Sequence, residues 1–304
     1  MKTQKILFTI FCILLISCNK NSENKNDLEL LNLFDKVISI EEVKYLAVEK
    51  FGEITTGERK RENSWENDYY IVFNEDGFIE SKYEYDSNGN FYGKSSYLYN
   101  EKNKVIEVNN YTKDLSLYFK EKFSYNNLNY LTNYFLYNSE GELEEKSNYQ
   151  YNENGKMKEA IFNSNTEYGL NGKYEYKYND KNELIESKYF SLEGVIEDYS
   201  TFGYDKNGNL VLSNHFNDNG DLIKRTIYKY NDKNKLIEEA DYNNKDIIVK
   251  FKKNQYDQFG NIYKEEFINS DDSIDKIIEY NYKYDSKNNW VKKIEIINGI
   301  SKYI

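Results

Sequence analysis

From Phe73 onward, polar and hydrophobic positions alternate with a period of two. Over most of this length, every 12 or 14 residues, a cluster of Asn, Asp, Gly and Lys breaks the alternation. A period of two puts successive side chains on opposite sides of an extended chain. Each run of about eight to ten residues therefore predicts a β-strand, and each polar cluster a turn. An aromatic residue precedes most clusters: Phe73, Tyr85, Tyr99, Tyr125, Tyr137, Tyr151, Tyr178, Phe190, Tyr204, Phe216, Tyr230, Tyr242, Tyr256 and Tyr284, with Tyr111 and Ile268 as weaker members. From Tyr178 to Tyr256 these anchors are spaced 12, 14, 12, 14, 12 and 14 residues apart. The unit is thus 26 residues, two strands and two turns, and a fixed period of this size marks a repeat architecture.

The turns have a readable chemistry. In Asp205-Lys206-Asn207-Gly208, Asp205 can accept from the backbone two residues on, Lys206 and Asn207 suit a type I turn, and Gly208 suits the left-handed position of a G1 bulge. The fourth residue after each anchor is Gly77, Gly89, Asn103, Asn129, Gly141, Gly155, Asn182, Gly194, Gly208, Gly220, Asn234, Asp246, Gly260, Asp272 or Asn288. These residue types tolerate positive φ best. Leu115 alone departs from the rule.

Strict alternation assigns Leu210, Leu212, Asn214 and Phe216 to one face, together with Leu222, Lys224, Thr226, Tyr228 and Tyr230 on the return strand. Val211, Ser213 and His215 face the other way. The mid-strand charges Glu107, Glu145, Glu159, Glu186, Asp198, Lys224, Glu238, Lys250, Lys264, Lys276 and Lys292 then fall on that first face, acidic early and basic late. A sandwich core does not hold charges at such positions. The expectation is an all-β chain: a long antiparallel meander, mostly a single sheet, twisted or curled so that its halves can approach. Strands over Val43–Phe51 and Tyr69–Phe73 are expected to begin the same sheet.

Tyr85-Asp86-Ser87-Asn88-Gly89-Asn90-Phe91 and Tyr204-Asp205-Lys206-Asn207-Gly208-Asn209-Leu210 resemble the YD/Rhs repeat family, and more closely repeat-bearing surface lipoproteins of Gram-negative bacteria. The resemblance covers roughly residues 70 to 292. It implies β-hairpin repeats; in large Rhs proteins these form a shell around a toxin, and some relatives contact carbohydrate. This chain is shorter than such shells, and many of its repeats carry Asn in place of Gly.

The N-terminus is of another kind. Lys2 and Lys5 precede an apolar run from Ile6 to Ile16, shorter than the roughly 20 residues a membrane span requires and suited to a signal peptide. Leu15-Ile16-Ser17-Cys18 resembles the bacterial lipobox, which implies cleavage before Cys18 and acylation of that residue. Two or more acyl chains anchor a protein stably. Cys12 leaves with the leader. The organisation expected is a lipoprotein signal peptide over 1–17, lipidated Cys18 with a polar tether and a short helix over 18–36, and a repeat domain over 37–304. The helix rests on Leu30, Leu33, Phe34 and Val37 at helical spacing.

Composition narrows the function classes. The chain of 304 residues has 32 Tyr, 17 Phe, two Cys, one His and no Pro. A disulfide framework and a Cys/His zinc site are excluded. A net charge of -11 argues against nucleic acid, whose binders meet phosphate with cations. His215 reads as an exposed strand residue. Glu144-Glu145, Glu238-Glu239 and Asp271-Asp272 point to opposite faces of their strands, so none is a glycosidase pair by itself. Asp205–Asn209 and Asp218–Asp221 lack the spacing of a calcium loop. Trp290 reads as packing, and Trp65 has no assigned role. No catalytic, metal or cofactor site is expected; the glycines Gly77, Gly89, Gly141, Gly155, Gly194, Gly208, Gly220 and Gly260 are structural. The expected protein is a non-enzymatic interaction or structural module, anchored extracytoplasmically through its acyl chains, in the outer membrane by preference, with a protein or glycan partner. Tyr rows able to stack on sugar rings make carbohydrate binding the alternative.

Overall fold

The computed structural model describes residues 25–59, 68–167 and 169–304. The leader, Cys18 and Trp65 lie outside the described residues. One helical turn, α1 (Asp27–Leu30), precedes 22 antiparallel strands in one sheet. The first three strands are β1 (Ser39–Glu42), β2 (Tyr45–Lys50) and β3 (Glu53–Arg59). A meander follows: β4 (Asp68–Phe73), β5 (Ile79–Tyr85), β6 (Phe91–Tyr99), β7 (Val105–Tyr111), β8 (Leu117–Tyr125), β9 (Leu131–Asn138), β10 (Leu143–Tyr151), β11 (Met157–Ser164), β12 (Gly172–Tyr178), β13 (Leu184–Phe190), β14 (Ile196–Tyr204), β15 (Leu210–Asn217), β16 (Leu222–Tyr230), β17 (Leu236–Asn243), β18 (Ile248–Tyr256), β19 (Ile262–Ile268), β20 (Ile274–Tyr284), β21 (Trp290–Ile297) and β22 (Ile300–Tyr303). The turns alternate between two edges of the sheet. Rim A carries those at 74–78, 100–104, 126–130 and so on to 285–289; rim B carries those at 86–90, 112–116, 138–142 and so on to 269–273.

Most of the five-residue turns close on their first side chain. Asp205 Oδ1 accepts from the N–H groups of Asn207 at 2.8 Å and Asn209 at 2.9 Å, while Gly208 N–H donates to the Asp205 carbonyl at 3.1 Å. Gly208 has φ 83°. Leu115 also sits in the left-handed region, with φ 64°. There Asp114 accepts from the hydroxyls of Thr112 and Ser116, and these bonds hold its carboxyl down at about 2. Local polar bonding keeps the turn geometry where the residue type alone disfavours it.

A second irregularity accompanies each five-residue turn and changes which face a side chain takes. Beside the turn after Tyr204, Tyr204 opposes Leu210 but Gly203 opposes Leu212, so one residue is bulged out. The same happens where Phe216 opposes Leu222 and His215 opposes Lys224. A bulge adds one residue to one strand only, so strict alternation fails across it. Lys224 and Thr226 share a face with His215 and Ser213, not with Leu212 and Asn214. The series of mid-strand charges therefore divides. Glu145, Asp198, Lys224, Lys250 and Lys276 lie on one face; Glu107, Glu159, Glu186, Glu238, Lys264 and Lys292 lie on the other.

The faces are unequal. Ile71, Phe73, Val108, Tyr134, Tyr149, Ala160, Tyr189, Ile278 and Tyr303 are buried, and pairing puts all of them on the first of these two faces. It is the concave, inner side of a curl. The curl follows from the path of the N-terminal strands. β1 pairs with β4 at one end of the meander, and β2 pairs with β22 at the other. Only Val43 and Lys44 separate β1 from β2. Laid flat, the meander would extend over 80 Å, at about 4.8 Å per strand, yet Glu42 and Tyr45 are at most about 11 Å apart along the chain. The strand expected over Val43–Phe51 thus lies beside the last strand of the sheet, not at its beginning. The ladder is not closed into a barrel.

Residues 26–37 pack on the sheet; the short helix expected from Leu30, Leu33, Phe34 and Val37 is a single turn over Asp27–Leu30, and most of the expected tether lies outside the described residues. Asn26 and Glu29 cap one another, and the helix ends by Asn32 and Asp35, both at positive φ. Leu28 packs with Ile71 and Phe73. Phe34 N–H donates to Asn289 Oδ1 at 2.6 Å, and Asn289 Nδ2 donates back to the Phe34 carbonyl at 3.0 Å. One short segment therefore holds the first and last rim A turns together.

A hydroxyl distinguishes the rims. Tyr99, Tyr125, Tyr151, Tyr178 and Tyr256, all rim A anchors, donate to the carbonyls of Ile79, Val105, Leu131, Met157 and Leu236 at 2.7–2.9 Å. Each reaches the strand that leaves the preceding rim A turn. In β20, which is two residues longer than its counterparts, Tyr282 makes this bond and Tyr284 reaches Asp257 and Asn261 in the turn itself. Rim B tolerates Phe190, Phe216 and Ile268 at the anchor.

Candidate functional site

The inner face is aromatic but tightly occupied. Ala160 is fully covered, because its small side chain lies between the Tyr149 and Tyr174 positions of the neighbouring strands. Around it Tyr134, Tyr149, Phe123, Phe162 and Tyr176 form one cluster. Phe123 and Tyr134 meet at 5.4 Å, and Tyr174 and Tyr189 at 4.9 Å. Burial, and then the Glu121 carboxylate, pushes the Tyr97 hydroxyl up to about 12. Burial and then Glu239 do the same at Tyr228. These rings pack against one another mostly at tilted and edge-on angles, so the row is not laid open for a sugar.

Polar groups on this face are bonded within the sheet. Buried Asp241 accepts from Thr226 Oγ1 at 2.8 Å and pairs with Lys224 Nζ at 2.9 Å. Glu265 binds Lys252 at 3.1 Å and the Tyr280 hydroxyl at 2.8 Å. Glu121 accepts from Tyr134 at 3.2 Å and Asn110 at 3.3 Å. Burial raises its carboxyl, those bonds oppose the rise, and Glu145 adds to it. Glu145 is raised too, by burial and then by Glu144. The two acids flank Leu136 on adjacent strands, a juxtaposition that strand-by-strand reading misses.

His215 is half-buried on the inner face, not exposed on the polar side. Its Nδ1 lies 3.2 Å from Ser200 Oγ. Burial raises the nearby Asp198 carboxyl, and His215 opposes the rise. Ser200 sits in the middle of three paired strands, where its backbone serves the ladder and offers no free N–H for an oxyanion. Asp205, the calcium-loop candidate, spends its oxygens on its own turn and on Asn209 Nδ2 at 3.0 Å. Trp290 packs against Tyr282 at 6.3 Å and under Lys293. Among the described residues, no three His, Cys, Asp or Glu side chains gather as a metal site.

The outer face carries a ladder of ion pairs. Glu107 meets Lys120 at 3.5 Å, Lys173 meets Glu175 at 2.7 Å and Glu159 at 3.5 Å, and Lys229 meets Glu238 at 2.7 Å. Both faces are therefore charged at mid-strand. Neither has the unbroken apolar band that a lipid-facing barrel presents. No helix among the described residues is long and apolar enough to cross a membrane.

Sequence reasoning also misses the seam between the sheet's ends. Asp68, 1% exposed, accepts from Arg59 Nε of β3 and from Lys44 N–H at 3.0 Å. Lys44 Nζ lies 3.6 Å from Glu295 and 4.0 Å from the Tyr303 ring centre.

No family model and no curated protein matches the chain. Among solved structures it is similar to a porin-like protein from Bacteroides uniformis, with 10% identity, 88% of this chain and 92% of that chain covered, and a TM-score of 0.38. It is also similar to TcdB2-TccC3, with 10% identity, 86% of this chain and 18% of that chain, at 0.31. A porin-like protein from Bacteroides vulgatus aligns with 11% identity, 86% and 95% coverage, at 0.21.

Proposed function

We propose that the chain is a lipid-anchored extracytoplasmic module, attached through Cys18 at the outer membrane, that acts by binding and not by catalysis. The observation that carries this reading is where apolar side chains are left open. Tyr92, Tyr118, Ile223 and Val249 are exposed, and each is the bulged residue just after a rim B turn. The bulge turns them out of the sheet, while inner-face groups such as Asp241, Glu265 and Glu121 are engaged within it. A rigid repeat sheet holds such side chains at fixed intervals, as repeat scaffolds do for partner surfaces. Replacing Cys18 by Ser should abolish labelling with palmitate and release the protein from the membrane fraction. Retention with unchanged electrophoretic mobility refutes the anchor.

Carbohydrate binding is the second reading, supported by Tyr92 at 60% and Tyr118 at 63% exposure. They occupy equivalent places in successive repeats, two strands or about 9.6 Å apart, a spacing suited to stacking on alternate rings of a glycan chain. A glycan array should give hits that vanish in Tyr92→Ala/Tyr118→Ala. An array without hits removes this reading.

A further inference from the structure

The chain enters the fold at rim A. Asn26 Nδ2 donates to the Asp76 carbonyl at 2.8 Å, Leu28 N–H to the Gly77 carbonyl at 3.2 Å, and Ile79 N–H to Asp27 Oδ2 at 2.7 Å. Eight residues of sequence lead from Cys18 to Asn26, a length that reaches at most about 29 Å. Exposed apolar side chains flank this entry on both sides. Leu30 and Leu31 project from α1 and its cap, Leu98 and Ile106 flank the turn at 100–104, and Val291 comes after the turn at 285–289, to which Phe34 is bonded.

Charge separates the rims more strongly. The nine five-residue turns of rim A hold ten acids and eight lysines; the seven of rim B hold ten acids and two lysines. Net charge in the turns is thus -2 at rim A and -8 at rim B. An anionic lipid surface attracts nearby lysines and repels a concentrated acidic edge within a Debye length.

We infer that rim A is a lipid-facing surface: the curled sheet stands on the membrane by the edge from which its N-terminus leaves, and presents rim B outward. The inference rests on the proposed anchor at Cys18. The short tether and the lysines select the same rim, and apolar side chains surround the tether's point of entry there.

Amine footprinting of the unaltered protein tests it. The acylated chain is placed on vesicles of phosphatidylethanolamine and phosphatidylglycerol, treated with a water-soluble acetylating reagent and compared with the same protein in detergent. Lys102, Lys206 and Lys233 of rim A, all exposed, should be acetylated several-fold more slowly on vesicles. Lys113 and Lys245 of rim B, also exposed, should not change. Equal rates at both rims, or protection at Lys113 and Lys245, overturn the proposal. A chain that fails to join the vesicles marks failure of the lipidation reading instead. Its free Cys18 thiol is then coupled to a maleimide phospholipid and the same lysines are compared, which decides the orientation separately.

Discussion

Gly155 and Gly208 occupy the same place in their turns, at φ 73° and 83°. Asn fills that place at Asn103, Asn129, Asn182 and Asn234, so the turn itself accepts Asn at either glycine. The surroundings differ. A Cβ at Gly208 would approach only Glu183 Oε1, at 3.5 Å. A Cβ at Gly155 would fall 2.6 Å from the Tyr130 ring carbon that bears the hydroxyl. Tyr130 stacks on Tyr151 at 4.9 Å, and Tyr151 in turn donates to the Leu131 carbonyl at 2.8 Å. Moving Tyr130 forfeits the ring pair, about 0.5–1.5 kcal/mol, and disturbs a bond whose net contribution is about 1 kcal/mol. Gly155→Asn should therefore cost about 2 kcal/mol, and Gly208→Asn no more than about 0.5 kcal/mol, the usual range for an exposed site. Urea melts followed by tyrosine fluorescence measure both. In a Tyr130→Ala background the Gly155→Asn penalty should largely disappear, the coupling expected of residues in contact. Equal losses for the two Asn variants, or an undiminished penalty without Tyr130, would refute the reasoning.

Tyr178→Phe removes a hydroxyl that caps a carbonyl at rim A and should cost about 0.5–1.5 kcal/mol, whereas Tyr242→Phe at rim B, where Phe already serves at Phe190 and Phe216, should be near neutral in the same melts. Burial raises Glu121 above its ordinary 4.5, so the folded state binds the proton more tightly than the unfolded state and stability falls as pH rises through that interval. Glu121→Gln should then gain on wild type at pH 7 and lose the advantage at pH 4; an identical difference at both pH values would count against a protonation effect. Arg59→Met strips a cation from buried Asp68 and should cost about 3–5 kcal/mol; small-angle scattering should show a larger radius of gyration, and an unchanged radius would show that the seam does not depend on this pair.

The turns were legible because their chemistry is local. Asp205 meets backbone two and four residues away, and the left-handed residue lies one step before the last of these. The curl was legible only as an expectation. Its fastening joins Phe34 to Asn289, partners 255 residues apart that no periodicity marks, and Arg59 to Asp68, which both precede the first repeat. Face assignment failed for a third reason. One bulged residue at each corner, Ile223 for example, reverses the parity of the rest of its strand. His215 and Lys224 then turn inward beside Ser200 and Asp241, and a row of charges that looked continuous divides between two faces.

Parity also governs how this sheet can change in size. β1 and β2 form one advancing line, antiparallel to β4 at its start and to β22 at its finish. Both end strands must then run in the same direction, which an alternating meander achieves only with an odd number of strands, here the 19 from β4 to β22. Deleting or duplicating a single strand would present the closing line with a strand of the wrong polarity and move every later turn to the other rim. Deleting or duplicating two restores both. Gene duplication can therefore lengthen or shorten the ring only in steps of one 26-residue unit, the same period that is written along the chain.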